Sequence, residues 1–312
     1  MNILVELPTW LGDSIMAIPS IENLKRNFPK SNFIFLGSVV AIDLIKNIYS
    51  LDKAYFLPKK ILLMKKLSYK IKNVDYFISY RSSLRSRIFS LFVHPQKKSY
   101  FYSKKKFSNT HQVEKYNEFI NRSFCINFLP GEIRLRSSYS EYVEPNQINI
   151  AINPGASYGA AKCWPPEYYC MLIESLSSFA QIVLLGGTKE YQLTEKIKAC
   201  LSKKKVYKYN DLTGKTSISD LINIISNIDL LITGDSGPMH IASAFQTKTI
   251  SIFGPTNSDD TAQWKNPNDF VLKKTLSCQP CLKRNCPLGH HNCMKLISPE
   301  EVYNKARILI NL

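Results

Sequence analysis

The stretch from Ile228 to Gly254 constrains the fold of this chain more than any other. It begins with an apolar, β-branched run from Asp229 to Thr233, which is typical of a strand buried on both faces. A tight turn, Gly234-Asp-Ser-Gly-Pro238, leads into a short apolar helix from Met239 to Phe245. A second apolar run, Thr249 to Phe253, follows. The pattern predicts a βαβ unit with parallel strands.

The turn in this unit is suited to a phosphate. Glycine lets a ligand approach the backbone closely, and a helix N-terminus offers unpaired N–H groups at the positive end of the dipole. The candidate ligand-binding residues are Asp235, Ser236, Gly237 and His240. His240 could reach a phosphate, hold Asp235 or be structural. An ordinary βα turn without a ligand is the alternative.

The same theme begins twice along the chain. A strand, a Pro-containing turn and a helix start at Asn2 and again at Ile148, with a polar segment at 135–147 as the candidate linker. We therefore expect two Rossmann-like α/β domains facing a central cleft, residues 1–146 and 147–312. Ligands bind such sheets outside the carboxyl ends of the strands, where the turns of interest lie.

The predicted elements follow from hydrophobic periodicity and turn residues. Strands are expected at 2–7, 32–37, 74–79, 148–152, 181–185, 229–233 and 249–253. Helices are expected at 14–28, 113–124, 166–179, 193–201, 219–226, 239–245 and 299–310, and an exposed loop at 101–108.

Charge is strongly asymmetric. The chain of 312 residues carries a net charge of +17, of which residues 1–146 supply +12 from 23 basic and 11 acidic residues. Between Lys59 and Lys106 there are 14 basic residues and a single acid, Asp75. Such a field favours an anionic partner: nucleic acid, an anionic lipid surface or a phosphorylated substrate. A solvated, lysine-rich surface is the alternative.

The chain carries no sign of export or membrane insertion. Residues 1–6 lack the basic and long apolar regions of a signal peptide, and no apolar run reaches the roughly 18 residues that a membrane span needs. We expect a cytoplasmic protein with reduced thiols.

Three further residues could carry chemistry. Asp13, in the first strand-to-helix turn, could accept a proton from an attacking hydroxyl or simply cap the helix. Lys162, in a loop that leads into a helix, could neutralise a diphosphate or be a surface lysine; Ser157 could add a donor. Asp211, after a strand, could accept two ribose hydroxyls or cap a turn.

Four cysteines near the C-terminus are closely spaced. Cys278, Cys281, Cys286 and Cys293, with His290 and His291 between the last two, could in principle form a tetrahedral zinc site. Their spacing matches no common zinc module, so a metal-free or redox-sensitive loop is favoured. The cysteines at 125, 163, 170 and 200 are interpreted as core or incidental.

Six motifs in order resemble those of glycosyltransferase family 9, the ADP-heptose:lipopolysaccharide heptosyltransferases. They are Thr9-Trp-Leu-Gly-Asp13, Asn153-Pro-Gly-Ala156, Ala161-Lys-Cys-Trp-Pro165, Asp211-Leu-Thr-Gly214, Gly234-Asp-Ser-Gly-Pro-Met-His240 and Phe253-Gly-Pro-Thr256. The cysteine segment, 278–293, resembles that of the heptosyltransferase II branch. The motifs span residues 9 to 293, which is nearly the whole chain.

The resemblance implies a GT-B fold and an inverting, metal-independent transfer without a cofactor. The N-terminal domain would bind the acceptor, with Trp10 and Gly12 on that side and Asp13 as the general base. The C-terminal domain would bind ADP-heptose, and the final helix would pack back toward the N-terminal domain. The donor site would comprise Ser157, Lys162, Asp211, Asp235, Ser236, Gly237 and His240. Ser157-Tyr158 departs from the paired threonines of heptosyltransferase I.

The implied partners are ADP-heptose and a Kdo-lipid A-heptose acceptor. The basic N-terminal domain fits an acceptor with phosphates and Kdo carboxylates, reached peripherally at the inner face of the inner membrane. Nucleic acid is not an expected partner, because no nucleic-acid module is recognisable. A basic nucleic-acid-binding protein, a zinc-dependent interaction module, and a family member with another acceptor or nucleotide sugar are the alternatives.

Overall fold

The computed structural model describes residues 1–49, 53–107, 110–156 and 158–312, with the side chain of Lys105 left out. The predicted site residue Ser157 lies outside the described residues. The chain folds as two compact units, Met1–Arg134 and Leu135–Leu312. Each unit is a parallel sheet with helices, so the α/β prediction is confirmed.

The first unit contains a five-stranded parallel sheet. Its strands are β1 (Asn2–Glu6), β2 (Asn32–Gly37), β3 (Ala54–Phe56), β4 (Tyr76–Ser79) and β5 (Lys98–Phe101). Its helices are α1 (Leu11–Met16), α2 (Ile18–Asn27), α3 (Val39–Ile48), α4 (Ile61–Ser68), α5 (Leu84–Val93) and α6 (Gln112–Phe124), with a 3₁₀ turn at Lys104–Lys106.

The second unit contains a six-stranded parallel sheet. Its strands are β6 (Ile148–Asn153), β7 (Ala180–Leu184), β8 (Tyr209–Asp211), β9 (Leu230–Gly234), β10 (Thr249–Phe253) and β11 (Asp269–Lys273). Its helices are α7 (Pro166–Leu176), α8 (Tyr191–Lys203), α9 (Ile218–Asn227), α10 (Gly237–Phe245), α11 (Ser258–Thr261), α12 (Asn292–Lys295) and α13 (Pro299–Leu309). Two 3₁₀ turns lie at Ala160–Lys162 and Thr188–Glu190.

The strand order reverses direction once in each sheet. The orders are β3-β2-β1-β4-β5 and β8-β7-β6-β9-β10-β11, so the switch points lie between β1 and β4 and between β6 and β9. At these points Glu6 pairs with Ser79, and Asn153 pairs with Thr233. Because ligands in doubly wound sheets bind at the carboxyl ends beside a switch point, the fold directs attention to these two places.

Both sheets are buried on the faces that the helices cover. Strands β9 and β10 are buried at every residue, as expected for central parallel strands. In the second unit Val302 and Ala306 place α13 in the same core as Trp164, and α13 packs against α7. The expectation that α13 also packs toward the N-terminal domain concerns the relation of the two units and stays a prediction.

The predicted linker, residues 135–147, is held to the second unit. The amide of Ser138 donates to Asn223 Oδ1 at 2.9 Å, and Asn227 Nδ2 donates to the Ser138 carbonyl at 2.9 Å. Because both amide side chains belong to α9, the segment is anchored rather than free at this point. The functional boundary at 146/147 stays a prediction.

Two of the cysteines that were interpreted as core or incidental are joined. Cys170 of α7 and Cys200 of α8 form a disulfide across two packed helices. The expectation of reduced thiols is wrong for this pair, because helix packing brings residues 30 positions apart into contact. Cysteines 125, 163, 278, 281, 286 and 293 are free.

Candidate active site

The turn between β9 and α10 brings several polar groups together. Ser236 precedes the first residue of α10 in an extended conformation, and Pro238 occupies the first turn. The Ser236 hydroxyl does not cap the helix; it lies 3.1 Å from Asn153 Nδ2 and 3.0 Å from Thr233 Oγ1. The Ser236 side chain therefore does not occupy the N-terminus of α10, whose positive dipole end suits an anion.

Lys162 and Asp235 form an ion pair beside this turn. Lys162 Nζ lies 2.5 Å from Asp235 Oδ2 and donates to the Asp235 carbonyl at 3.2 Å. Thr256 Oγ1 donates to the same Oδ2 at 2.7 Å. The side chains of Lys162 and Asp235 are only 11% and 7% exposed, so the pair is held away from water. We call Lys162, Asp235 and Thr256 the cation cluster.

The cation cluster positions the Lys162 ammonium group beside the N-terminus of α10. A buried charge without a partner is costly, so the Asp235 carboxylate stabilises the buried ammonium group at this position. A diphosphate offers several charged oxygens and can replace Asp235 as the partner of Lys162. Thr256 then continues to hold the Asp235 carboxylate by a hydrogen bond.

Asn153 ties the two loops at the switch point together. Its side chain, which is buried, donates to the Gly155 carbonyl at 3.0 Å and to Ser236 Oγ at 3.1 Å. The loop after β6 and the turn after β9 are thus joined by one amide. This fixes the loop that leads to Lys162 relative to the N-terminus of α10.

Asp211 lies at the end of β8, two strands away from β6 in the sheet order. Its Oδ1 accepts from the Thr213 amide at 3.0 Å, and its Oδ2 lies 3.2 Å from Lys198 Nζ. Burial raises the pKa of Asp211, but the hydrogen bonds from Thr213 and the Lys198 charge outweigh it and hold the pKa below its usual value. The carboxylate is therefore ionised and keeps lone pairs for a ribose hydroxyl.

The loops after β6, β7 and β8 approach each other closely. A side chain at Gly155 would overlap Glu190, whose carboxylate accepts from the Gly187 amide at 2.8 Å. Gly214 has a left-handed backbone (φ +68°) and donates to the Gly186 carbonyl at 2.7 Å. The glycines in these motifs are required by this close approach.

His240 is placed differently from the other predicted donor-site residues. It lies in the first turn of α10, and it is buried, at 2% exposure.

The fold brings four of the predicted donor-site residues together around one helix N-terminus: Lys162, Asp235, Ser236 and Gly237. Asp211 belongs to the same sheet edge but to a different strand end.

The cysteine segment, residues 278–293, makes hydrogen bonds to the loops on two sides of the cation cluster. Toward the Lys162 loop, the amide of Ala161 donates to the Arg284 carbonyl at 2.9 Å, and Tyr158 Oη donates to the Leu282 carbonyl at 2.7 Å. Toward the turn before Thr256, the amide of Leu282 donates to the Pro255 carbonyl at 2.9 Å. The segment therefore connects the loops that carry Lys162 and Thr256.

Gln279 makes two further hydrogen bonds in this region, and the ring of Tyr158 contacts two cations. Gln279 Nε2 donates to the Gly254 carbonyl at 2.5 Å, and Gln279 Oε1 accepts from the Leu276 amide at 3.0 Å. Two cations lie near the ring of Tyr158: Lys162 Nζ is 4.8 Å and the Arg284 guanidinium carbon 5.6 Å from the ring centroid. Cation–π contact at these distances orients the side chains of both cations.

The four cysteines line a cavity of about 230 Å³ together with His290 and His291. Burial, and then the neighbouring cysteines, raise the pKa of Cys293, while backbone amides led by that of His291 lower the pKa of Cys286. Among the described residues, no group of three or more His, Cys, Asp or Glu side chains is arranged to hold a metal ion. Metal analysis of the purified protein tests the zinc alternative.

In the first unit, Asp13 occupies the first turn of α1 and is half-buried. It forms a hydrogen bond with Tyr116 of α6; burial, and then the Asp13 charge, raise the pKa of that phenol well above its usual value. Tyr116 therefore stays protonated and orients the carboxylate. Trp10 precedes the helix and is exposed, and Gly12 is half-buried beside Asp13.

The other switch point holds a buried carboxylate that sequence reasoning missed. Glu6 is fully buried, accepts from Ser79 Oγ at 2.6 Å and Ser86 Oγ at 2.9 Å, and lies 3.5 Å from Arg81 Nη1. Burial raises the pKa of Glu6, and these hydrogen bonds and the Arg81 charge offset it in part. An acid that ends an apolar strand is the signal that could have identified it.

Sequence comparisons identify the family. The family model of glycosyltransferase family 9 (heptosyltransferase) matches residues 72–292. The lipooligosaccharide heptosyltransferase 2 of Campylobacter jejuni serotype O:2 is 35% identical over 326 aligned positions, which cover 99% of this chain and 98% of that protein.

Structural comparisons identify the fold. Escherichia coli ADP-heptose lps heptosyltransferase II matches with a TM-score of 0.83 at 21% identity, covering 100% of this chain and 99% of that one. E. coli heptosyltransferase WaaC with ADP matches with a TM-score of 0.72 at 14% identity, covering 99% and 100%. The GT-B fold expected from the resemblance is thereby confirmed. With this fold, and with a family match over most of its length, the chain belongs to glycosyltransferase family 9, the heptosyltransferases.

Proposed function

We propose that the chain transfers heptose from ADP-L-glycero-D-manno-heptose to the first heptose of the lipopolysaccharide or lipooligosaccharide inner core, with inversion. The observation that carries this proposal is the 35% identity over 99% of the chain to a lipooligosaccharide heptosyltransferase 2. The cysteine segment supports the same branch of the family. A glycosyltransferase with another inner-core acceptor is the nearest alternative.

The donor is proposed to bind the second unit. The cation cluster and the N-terminus of α10 support a diphosphate there, because a fixed cation and the positive end of a helix dipole lie beside the same turn. Asp211 is proposed to accept the ribose hydroxyls through its ionised carboxylate. His240 is proposed to line the donor site from the first turn of α10.

The reaction is proposed as a single displacement. The acceptor hydroxyl attacks the anomeric carbon while Asp13 takes its proton, and the bond to the diphosphate breaks. Negative charge gathers on the departing ADP, and Lys162 and the amides at Gly237 stabilise it. The chemistry needs no metal ion or cofactor, because the lysine and the helix N-terminus neutralise the leaving group.

The acceptor is proposed to approach the first unit, with Trp10 and Gly12 beside the base. Its phosphates and Kdo carboxylates would be attracted by the basic surface of residues 1–146, whose net charge is +12. Because the acceptor is a lipid, the enzyme is proposed to act in the cytoplasm at the inner face of the inner membrane. Among the described residues, no helix is both long and apolar enough to cross a bilayer.

Incubation with ADP-heptose and a set of truncated lipopolysaccharide acceptors, with mass readout, tests this function. The proposal predicts addition of one heptosyl residue to an acceptor that ends in the first inner-core heptose. Addition only to the heptose-free Kdo-lipid A acceptor would assign the other branch of the family. Absence of transfer to every acceptor would contradict the proposal.

A further inference from the structure

The outer faces of α4 and α5 expose large apolar side chains in a strongly basic region. On α4, Ile61, Leu62 and Leu63 are consecutive and exposed, Leu62 at 67%. On α5, Leu84 and Leu91 are 73% and 67% exposed. Scattered single leucines on a surface are ordinary, but five on two neighbouring helices form a feature that requires an explanation.

The two helices present these side chains on one side of the first unit. Met64 of α4 and Phe89 of α5 are buried in the same core cluster, and the helices pack against each other. Their inward faces are therefore fixed to one layer of the sheet. The spacing of Leu84, Arg87 and Leu91 (i, i+3, i+7) places them along one outward stripe of α5.

Lysines surround this apolar surface. Lys59, Lys60, Lys65 and Lys66 are all exposed next to or within α4. Among the described residues, the structure records no ion pair for these four. Residues 59–93 contain nine Lys or Arg and one acid, Asp75, whose carboxylate accepts from the Asn2 amide. These exposed positive charges attract an external anion.

Apolar side chains among exposed lysines match an anionic lipid surface. Leucines at the headgroup boundary gain from leaving water, and lysines gain from the negative surface potential of the leaflet. A nucleic acid would use the lysines but leave the leucines in water, and it is usually bound with aromatic stacking. We propose that the outer faces of α4 and α5, the leucine–lysine face, dock this enzyme on an anionic lipid bilayer.

This inference rests on the proposed function only in that the acceptor is a lipid. Docking on the bilayer would confine the enzyme to the surface where a membrane-held acceptor is presented. Confining the enzyme to the membrane plane raises its rate of encounter with such an acceptor and leaves the proposed transfer step, with Asp13 as base and Lys162 at the diphosphate, unchanged.

Vesicle flotation of the full-length protein tests the proposal. Vesicles of phosphatidylcholine alone are compared with vesicles of equal amounts of phosphatidylcholine and phosphatidylglycerol. The wild type is expected to float with the anionic vesicles and to be released by high salt. Failure of the wild type to bind anionic vesicles at low salt would overturn the proposal.

Two double variants separate the apolar and electrostatic parts. Leu62→Ser with Leu84→Ser, and separately Lys65→Gln with Lys66→Gln, are each expected to lower partitioning by about tenfold. Leu129→Ser, at a leucine 87% exposed in the same unit, and Lys203→Gln with Lys208→Gln, at exposed lysines of the second unit, are the matched controls. The controls are expected to stay within about twofold of wild type.

The outcomes distinguish this proposal from the proposed function. Full vesicle binding by the leucine variant together with loss in the lysine variant would indicate a polyanion site and overturn lipid docking. Transfer of heptose to a deacylated, water-soluble acceptor is expected to be unchanged in the leucine variant. Absence of that transfer in the wild type would contradict the proposed function. The flotation experiment would still decide, independently, whether the leucine–lysine face docks on lipid.

Discussion

Asp13 is the residue on which the proposed chemistry depends most. It lies in the first turn of α1, and the buried, protonated Tyr116 forms a hydrogen bond with it. A carboxylate oriented in this way is suited to receive a proton from an acceptor hydroxyl. The sequence motif predicted the aspartate, but Tyr116 is more than a hundred residues away and no spacing rule links the two.

Asp13→Ala is expected to lower turnover by about a hundredfold or more, because proton transfer in the transition state is lost. Binding of ADP-heptose, measured by calorimetry, should stay near that of the wild type. Asp13→Asn, which keeps the shape, should lose activity as well, whereas Tyr116→Phe should lose only part of it. Near-normal turnover of Asp13→Ala would show that another group is the base.

Lys162→Ala is expected to weaken ADP binding and slow transfer together, each by about tenfold or more, because the cation serves both the bound and the departing diphosphate. The burial of Lys162 against Asp235 distinguishes it from an ordinary surface lysine. Lys196→Ala, at an exposed position of α8, is the matched control. Unchanged affinity and rate in Lys162→Ala would exclude the diphosphate role.

Glu6 makes the stability of the protein depend on pH. Because burial raises its pKa, the folded state holds the proton at pH values where the unfolded chain, with a pKa near 4.5, has released it. The free energy of unfolding should therefore decrease as the pH rises above about 4.5 until the folded-state pKa is passed. Glu6→Gln should remove this decrease.

Urea unfolding at a series of pH values, followed by circular dichroism, measures the effect. Glu132→Gln, at an exposed carboxylate of the same unit, is the control and should keep the wild-type slope. If Glu6→Gln and the wild type changed in parallel with pH, Glu6 would not be the group responsible.

At the level of elements, the buried core strands and most helices followed from the sequence, but no bounds were predicted for α3, α4 and α5. β2 and β10 have the predicted bounds, β6 and α6 differ by one residue at one end, and β9 is shifted by one residue. The predicted helix 14–28 is divided at Ala17 into α1 and α2, and Pro19 follows in the first turn of α2. Pro19 lacks the N–H group that a continuous helix would use.

Three strands were not predicted from the sequence, for the same physical reason. β3, β5 and β11 lie at the edges of their sheets and are three to five residues long. Edge strands carry charged or exposed residues, as at Lys98 and Lys273, so the apolar run that identifies a central strand is missing. Phe101, the first residue of the predicted loop 101–108, is the last residue of β5 instead.

The cysteine segment braces the donor loops, and this role was not predictable. It depends on hydrogen bonds between segments more than a hundred residues apart, such as Tyr158 to Leu282 and Ala161 to Arg284. The sequence drew attention to cysteines and suggested a metal or redox role, whereas the backbone, Gln279 and the His291 ring, whose Nε2 lies 2.9 Å from the Ala161 carbonyl, make the contacts. The cysteine motif therefore pointed to the right segment without revealing these contacts.

Gln279→Ala tests the brace. It removes the hydrogen bond to the Gly254 carbonyl and the one from the Leu276 amide, which together contribute about 2 kcal/mol or less to stability. ADP affinity should fall by several-fold, because the turn that carries Thr256 is no longer held. Asn285→Ala, exposed in the same segment, should leave both unchanged. Equal ADP affinity in the two variants would contradict the bracing role.

For the molecule as a whole, the two Rossmann-like units follow from the repeated strand–turn–helix pattern, and the GT-B fold from the ordered motifs. The assignment of the acceptor to the first unit and of the donor to the second stays a prediction. The charge asymmetry, with +12 of the net +17 in residues 1–146, agrees with an anionic acceptor on the first unit.

Hydrogen–deuterium exchange of the full chain with and without ADP tests this division. We expect slower exchange at residues 153–162 and 234–238, because the nucleotide binds only the folded conformation of those loops and so suppresses their local opening. Amides of residues 1–49 should exchange as in the free protein. Protection confined to the first unit would reverse the assignment.

A crystal structure of the protein soaked with ADP is the most direct test of the proposed donor site. We expect the diphosphate to lie within hydrogen-bonding distance of Lys162 Nζ and of the Gly237 amide, with the ribose at Asp211. A nucleotide bound elsewhere, with the Lys162–Asp235 ion pair unchanged, would contradict it.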